Sequence, residues 1–197
     1  MPRYAAVMPP PSLREIGFTP IGTERLLIRL ADPSDVDDLH HILSRPDVCR
    51  YLLHPPLSVD EVVQRVARFA GRTVLNADRD AIRLAITRRD SGRTIGELVL
   101  IVESAANACL EIGWVLHPDH QGKGFAAEGA RALLGYAIVT LGAHRVVAQL
   151  HPDNTGSAVL CARLGMRQEA HHRANAWVKG AWEDTAIYAI LDHEWQP

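Results

Sequence analysis

The chain has 197 residues, of which 47% are hydrophobic and 22% charged, and its formal net charge at pH 7 is −2. These values are ordinary for a soluble globular protein; the near-neutral charge gives no reason to expect a nucleic-acid partner, and no apolar run approaches the roughly 20 residues of a membrane span. Three cysteines without metal-like spacing, and prolines where a secretory signal needs an apolar core, predict a cytoplasmic protein without a metal site.

The N-terminal region predicts an arm followed by the start of a folded domain. Residues 1–20 are rich in proline and lack periodicity, so we expect an extended or mobile arm, with the domain occupying residues 21–197. Leu26, Ile28 and Leu30 then alternate as in a strand. Asp32 followed by Pro33 marks the start of a first helix, because aspartate caps a helix and proline is tolerated at its first position.

A second helix is predicted after a proline-rich connection. Residues 46–57 hold three prolines and are expected to form a loop. Ser58 and Glu61 have the spacing of a capping box, in which each side chain satisfies a free backbone N–H near the helix start. The helix is expected to bury a stripe of four apolar side chains, which are Val62, Val63, Val66 and Phe69.

The middle of the chain predicts an antiparallel meander. Two strand-like runs, residues 81–88 and 94–103, flank Asp90, Ser91 and Gly92, which together are a turn signal. Residues 109–116 follow as a third strand. After the meander, helical and strand-like patterns alternate to the end of the chain. They predict a helix at 125–141, a strand at 144–150, a helix at 155–164 and a strand at 186–191.

These elements predict one α/β (α+β) domain with a mixed, mostly antiparallel sheet of six to seven strands and helices on both faces. The third strand of the meander leads into a glycine-containing segment at the head of the 125–141 helix. That segment consists of Gln121, Gly122, Lys123, Gly124, Phe125 and Ala126.

The glycine-containing segment has the features of an anion site. Glycine lets the backbone approach a ligand closely, and the first N–H groups of a helix have no intrahelical acceptor. Together with the helix dipole and the charge of Lys123, these groups favour a phosphate. The spacing does not match a P-loop or a dinucleotide fingerprint, and a Gly-Lys-Gly sequence taken alone is also compatible with an ordinary turn.

The arrangement around this segment resembles the GCN5-related N-acetyltransferase (GNAT) superfamily. Gln121, Gly124 and Ala126 follow a strand and open a helix, as in the acyl-CoA pyrophosphate loop of that superfamily, and Asn154 with Ser157 follows the next strand. Further matches resemble the branch of ribosomal-protein alanine N-acetyltransferases. They are residues 23–29 near the start and residues 182–184, 188–190 and 194–195 near the end, so the resemblance covers residues 22–195.

The resemblance implies a cofactor groove between a splayed central pair of strands. Trp114, Val115 and Leu116 are then expected to pair through their backbone with the pantetheine arm of acetyl-CoA, and one of their N–H groups to polarise the thioester. Asn154 is expected to contact the cofactor arm; as a residue preceding Thr-Gly-Ser it also suits a helix cap, and the two roles are compatible.

The acid and base positions depart from the pattern common in the superfamily. Cys161 stands where many members have a tyrosine, so we favour Ser157 as the group that protonates the thiolate. Gln149 stands where some relatives have a glutamate. Glu111, on the strand before the glycine segment, is the carboxylate that remains as a candidate base; pairing with an arginine or lysine across the sheet is the equally weighted alternative.

We therefore expect an acetyl-CoA-dependent N-acetyltransferase that acts on a protein N-terminal amine or a small-molecule amine by direct attack in a ternary complex. The rival hypothesis is a non-catalytic acyl-CoA-binding or sensing module of the same fold, because Cys161 and Gln149 replace residues common in relatives. The expected partners are an amine substrate and, as relatives often dimerise, a second copy of the chain, with no nucleic acid and no membrane.

Overall fold

An eight-stranded mixed sheet organises residues 12–196, the part of the chain that the computed structural model describes. The strands are β1 (Ile21–Gly22), β2 (Leu26–Leu30), β3 (Ala81–Arg88), β4 (Thr94–Ser104), β5 (Cys109–Leu116), β6 (Arg145–Leu150), β7 (Arg167–Val178) and β8 (Ala181–Leu191). Their spatial order is β1-β2-β3-β4-β5-β6-β8-β7, and every neighbouring pair is antiparallel except β5 and β6.

The predicted fold class is confirmed, but the prediction of six to seven strands is too low. β1 has only two residues, which is too short to leave a pattern in the sequence. β7 is an edge strand whose side chains are mostly exposed on both faces, so it lacks the alternation of apolar and polar residues by which a half-buried strand is recognised. The two strands that were not predicted, β1 and β7, form the opposite edges of the sheet.

Five α-helices accompany the sheet in the described residues: α1 (Val36–Leu43), α2 (Pro46–Cys49), α3 (Val59–Phe69), α4 (Phe125–Gly135) and α5 (Thr155–Arg163). α1 is preceded by a 3₁₀ turn that Asp32 caps, and Ser58 with Glu61 forms the predicted capping box of α3. A π-helical turn, Tyr136–Thr140, continues α4. α2 lies inside the segment predicted as a loop, because Pro46 at its first position starts a single helical turn.

Each face of the sheet has its own apolar layer. On one face, α4 and α5 pack over a large core that includes Leu98, Leu133 and Leu160. On the other, α1 and α3 cover only one end of the sheet with a smaller cluster around Leu39, Val62 and Val66. The predicted buried stripe of α3 is therefore narrower than expected; it excludes Val63, which is 47% exposed because it points away from the Val62 and Val66 side of the helix.

The central parallel pair of strands is splayed. β5 and β6 pair only at their first three residues, Cys109–Glu111 of β5 with Arg145–Val147 of β6. Beyond that point β5 stays paired with β4, and β6 stays paired with β8. A gap therefore opens between residues 112–116 and residues 148–150 on the uncovered part of the sheet. This confirms the predicted splayed central pair.

The described part of the N-terminal segment, residues 12–20, has no regular secondary structure but packs on the domain. The ring of Phe18 is buried and meets the ring of Tyr136 edge-on at 5.2 Å. The guanidinium of Arg14 donates to the carbonyl of Val139 at 2.8 Å. The expectation of a mobile arm concerns residues 1–11 as well, and these lie outside the described residues. Across residues 12–196, none of the helices combines the length and apolarity of a membrane-spanning segment.

Candidate active site

The segment between β5 and α4 presents free backbone donors at the head of the helix. Gly122 and Gly124 have φ angles of +72° and +83°, in the left-handed region that glycine adopts without steric cost. Gly124 is the N-cap of α4 and offers no capping side chain, in contrast to Ser58 and Asn154 at the heads of α3 and α5. Within residues 12–196, the backbone N–H groups of residues 122–127 donate no hydrogen bond.

Contacts from the β1–β2 turn and from β5 fix this segment in place. Glu128, in the first turn of α4, accepts from the hydroxyl of Thr23 at 2.6 Å and from the Nε of Arg25 at 2.6 Å. The same arginine donates to the carbonyl of Lys123 at 3.0 Å. The side-chain amide of Gln121 donates to the carbonyl of Leu116 at 3.0 Å. These bonds orient the free N–H groups before any ligand arrives.

Two clefts meet at the gap between β5 and β6. One, of about 460 Å³, runs along the glycine segment and the start of α5. The other, of about 530 Å³, lies over the sheet face that α1 and α3 leave uncovered. Six residues line both clefts, namely Tyr51, Leu52, Trp114, Val115, Asn154 and Ser157. The arrangement leads from the free N–H groups at the start of α4, through the parted strands, to a second open groove.

Ser157 lies at the junction with its hydroxyl oriented. The indole N–H of Trp114 donates to Ser157 Oγ at 3.1 Å, so the oxygen has a donor and the hydroxyl proton is directed elsewhere. Asn154 accepts from the backbone N–H of Ser157 at 3.1 Å, which confirms its predicted role as the cap of α5. In the described residues its side-chain N–H₂ group donates no hydrogen bond, which leaves it available at the cleft.

Cys161 is part of the buried core. Its side chain is fully buried in the large core, and burial raises the pKa of its thiol to about 12. A thiol with that pKa holds its proton too tightly to exchange it near neutral pH. It also lies outside both clefts.

Glu111 faces a second carboxyl across a shared amide. The side-chain nitrogen of Gln149 lies 3.1 Å from Glu111 Oε2 and 3.4 Å from Glu103 Oε1. Burial, reinforced by the hydrogen bond and negative charge of Glu103, raises the pKa of Glu111 to about 8, against a smaller opposing effect of Gln149. Among the described residues, Glu111 forms no ion pair with an arginine or lysine, so the alternative of a cross-sheet salt bridge is not observed.

Other charged groups of the second cleft were not anticipated from the sequence. Glu97, 4% exposed, accepts from Arg65 at 2.8 Å and from Arg83 at 3.0 Å. Lys179, in the turn between β7 and β8, donates to the carbonyl of Cys49 at 3.0 Å and so links that hairpin to the end of α2. The residues of each of these pairs are 14 to 130 positions apart in the chain, so no local sequence pattern predicts the contacts.

Comparison with known proteins places the chain in a family. The sequence model of the acetyltransferase (GNAT) domain matches residues 25–167. The chain is 30% identical to the N-acetyltransferase YnaD of Bacillus subtilis over 89% of this chain and 98% of YnaD. It is 31% identical to the ribosomal protein uS5 alanine N-acetyltransferase of Escherichia coli over 49% of this chain and 50% of that protein.

A solved structure agrees with these sequence matches. The crystal structure of a GNAT-family acetyltransferase from Bacillus anthracis superposes with a TM-score of 0.80 and 27% identity, covering 89% of this chain and 99% of that one. The resemblance inferred from the motifs is thereby confirmed. The chain belongs to the GNAT family and is an acetyl-CoA-dependent N-acetyltransferase.

Proposed function

We propose that the protein transfers the acetyl group of acetyl-CoA to a primary amine, either a protein N-terminal α-amine or a small-molecule amine, by direct attack in a ternary complex. The observation that carries the proposal is the run of free backbone N–H groups at residues 122–127, which opens into one of the two clefts that meet at the parted strands. The match to a uS5 alanine N-acetyltransferase supports an N-terminal α-amine as one of the two acceptor classes.

The glycine segment fits the diphosphate of coenzyme A. Successive backbone donors at a helix terminus, with no Cβ at two positions, suit an anion of that size. Gln121, Gly122, Gly124, Phe125 and Ala126 line the cleft there. Lys123 is exposed and does not line it, so we assign its ammonium a long-range electrostatic contribution rather than a direct contact.

The unpaired edge of β5 fits the pantetheine arm. Trp114, Val115 and Leu116 lie past the last residue of β5 that pairs with β6, and all three line the first cleft. A backbone N–H among them is placed to polarise the thioester carbonyl, and Asn154, on the opposite side of the gap, presents a free amide to the arm. Acetyl-CoA supplies the activated acyl group as a thioester when bound.

Two side chains are assigned to proton transfer. Glu111, whose raised pKa brings it into the range of a general base, accepts the proton of the attacking amine directly or through water. Ser157, held by Trp114, directs its hydroxyl proton toward the departing thiolate. Both residues line the second cleft, where the acceptor enters.

Paired substitutions distinguish Ser157 from Cys161. Ser157→Ala is expected to lower kcat about tenfold; the effect is modest because a thiolate with an ordinary pKa near 8.5 leaves readily without a donor. Cys161→Ala is expected to cost about 1 kcal/mol of stability through a small cavity and to leave kcat within about twofold of wild type. Steady-state assays of thiol release measure kcat, and thermal melts measure the stability of each variant. Equal losses of kcat in the two variants would contradict the assignment of Ser157.

The non-catalytic alternative is tested by mixing the protein with acetyl-CoA and a panel of primary amines. We expect free thiol to be released at a rate that depends on both the protein and the amine. Calorimetric titration of acetyl-CoA serves as the parallel measurement of binding. Tight binding without thiol release for every amine would support an acyl-CoA sensor and reject the proposed reaction.

A further inference from the structure

One wall of the second cleft carries more positive than negative charge. Arg65 of α3 and Arg83 of β3 both donate to the same oxygen of Glu97, at 2.8 Å and 3.0 Å. The carboxylate is 4% exposed and the two arginine side chains are 20% and 18% exposed, so all three groups are largely withdrawn from water. Two guanidinium groups on one carboxylate leave a surplus charge of +1 in this wall.

The two arginines keep donors that the protein does not use. Within the described residues, Arg65 Nη1 and Arg83 Nη2 have no hydrogen-bond partner, although both residues line the cleft. Each also has a buried Nε without a partner. Burial, with a smaller contribution from the charge of Arg65, lowers the pKa of Arg83 against the opposing effect of Glu97. A surplus buried cation with free donors is destabilising until an anion neutralises it.

The two arginines and the carboxyl pair of the cleft lie at different positions along the sheet. The backbone of Arg83 lies two strand spacings, roughly 10 Å, from the gap, and its guanidinium reaches Glu97 on β4, the strand next to β5. The donors of the arginines therefore lie within roughly 10 Å of the gap. The carboxyl pair of Glu103 and Glu111 lies further along the same sheet face. The arginine pair around Glu97 and the carboxyl pair of Glu103 and Glu111 thus occupy different parts of the cleft.

We propose that Arg65 and Arg83 bind a carboxylate of the acceptor, so that the acceptor is an amine carrying a carboxylate within roughly 10 Å of its reacting nitrogen. The inference rests on the proposed acetyl transfer and names its substrate class. An extended chain of three residues spans about 10 Å, so a peptide with an acidic group at its third residue has the required length. A polyamine, which carries only positive charge, does not complement the arginine wall.

A matched pair of acceptors tests the inference. Ala-Ala-Ala with a free C-terminal carboxylate and the same tripeptide with a C-terminal amide differ only in the group assigned to the arginines. Thiol release from acetyl-CoA is measured with each. We expect kcat/KM for the acid to exceed that for the amide by about 10- to 30-fold, as for one charge-assisted, partly exposed pair of hydrogen bonds.

Arg65→Gln is the informative variant. It removes the surplus charge and leaves Glu97 paired with Arg83, so no buried charge is left alone. The ratio of kcat/KM for the acid to kcat/KM for the amide is expected to fall to about one, while the affinity for acetyl-CoA stays unchanged. Arg65→Lys is expected to restore part of the preference. Arg72→Gln is the control: it removes a nearby exposed positive charge outside the cleft and is expected to keep the full preference.

The outcomes separate this inference from the proposed reaction. Thiol release with equal kcat/KM for acid and amide overturns the carboxylate site and leaves the acetyl transfer intact. If no acceptor releases thiol, the proposed reaction fails. The carboxylate site is then tested independently by calorimetric titration of N-acetyl-Ala-Ala-Ala into the protein in the presence of coenzyme A. Weaker binding to Arg65→Gln than to wild type supports the site, and equal binding overturns it. Arg83→Gln repeats the measurement with the other arginine.

Discussion

Gly124→Val is expected to weaken acetyl-CoA binding at least 100-fold. Residue 124 has a φ of +83°, and a β-branched side chain strongly disfavours that region, so the backbone must rotate. A Cβ would also lie 3.3 Å from the Nη2 of Arg25, which helps to hold the segment through the carbonyl of Lys123. The rotated backbone would misdirect at least two N–H groups and so lose two charge-assisted hydrogen bonds to the diphosphate. At about 1.5–3 kcal/mol each, these two bonds account for the expected 100-fold loss of affinity. Calorimetric titration measures it.

Gly92→Val is the matched control for that substitution. Gly92 has a φ of +68° in the turn between β3 and β4 and lines neither cleft, and a Cβ there meets no heavy atom within 4 Å. The variant carries a similar backbone strain, so it should lose a similar amount of stability and keep its acetyl-CoA affinity. If Gly124→Val bound acetyl-CoA as tightly as Gly92→Val, the diphosphate would have to bind elsewhere.

Lys123→Ala extends the same reasoning to the one charged side chain of the segment. Because Lys123 is exposed and lies outside the cleft lining, we expect its removal to weaken binding only a few-fold, and less in high salt. The contrast with Gly124→Val measures how much of the anion site is backbone.

The elements that local interactions define were predictable from the sequence. The box formed by Ser58 and Glu61 fixes the start of α3 within four residues of chain, and the turn ending at Gly92 fixes the β3–β4 hairpin. The glycine segment belongs to the same class, since its open N–H groups follow from two glycines at a helix start. In each case the signal and the structure it specifies lie within one turn of chain.

Features that depend on distant partners were not predictable. β7 is an edge strand, held by β8 through exposed pairs such as Trp177 with Trp182, so its sequence shows no buried face. The arginine wall arises because α3 brings Arg65 over Glu97, 32 residues away. The pKa of Glu111 depends in the same way on Glu103, which reaches it only through strand register. The sequence identified Glu111 as a candidate base but did not show that Glu103 lies beside it.

Glu111→Gln is expected to lower kcat/KM about 100-fold, the lower range for loss of a general base. Its pKa of about 8 also sets the pH dependence. Only the ionised carboxylate accepts a proton, so the wild-type rate should rise as pH increases through about 8 and then level off. Steady-state assays with a peptide acceptor between pH 6 and 10 measure both effects. The variant should retain only the titration of the acceptor amine, whose pKa is also near 8.

Glu103→Gln separates the two titrations and keeps Glu111 in place. Removing the neighbouring negative charge lowers the pKa of Glu111, so the rise attributed to the base should move to lower pH while the amine titrates as before. Stability gives a readout independent of catalysis. A carboxyl whose pKa is raised by folding contributes stability below its unfolded pKa, near 4.5, and loses that contribution as pH rises through about 8. The Tm of Glu111→Gln relative to wild type should therefore increase from pH 5 to pH 9. An increase in Tm without a loss of kcat/KM would mean that Glu111 is a buried titrating group but not the base, and that the amine reacts from its own neutral fraction.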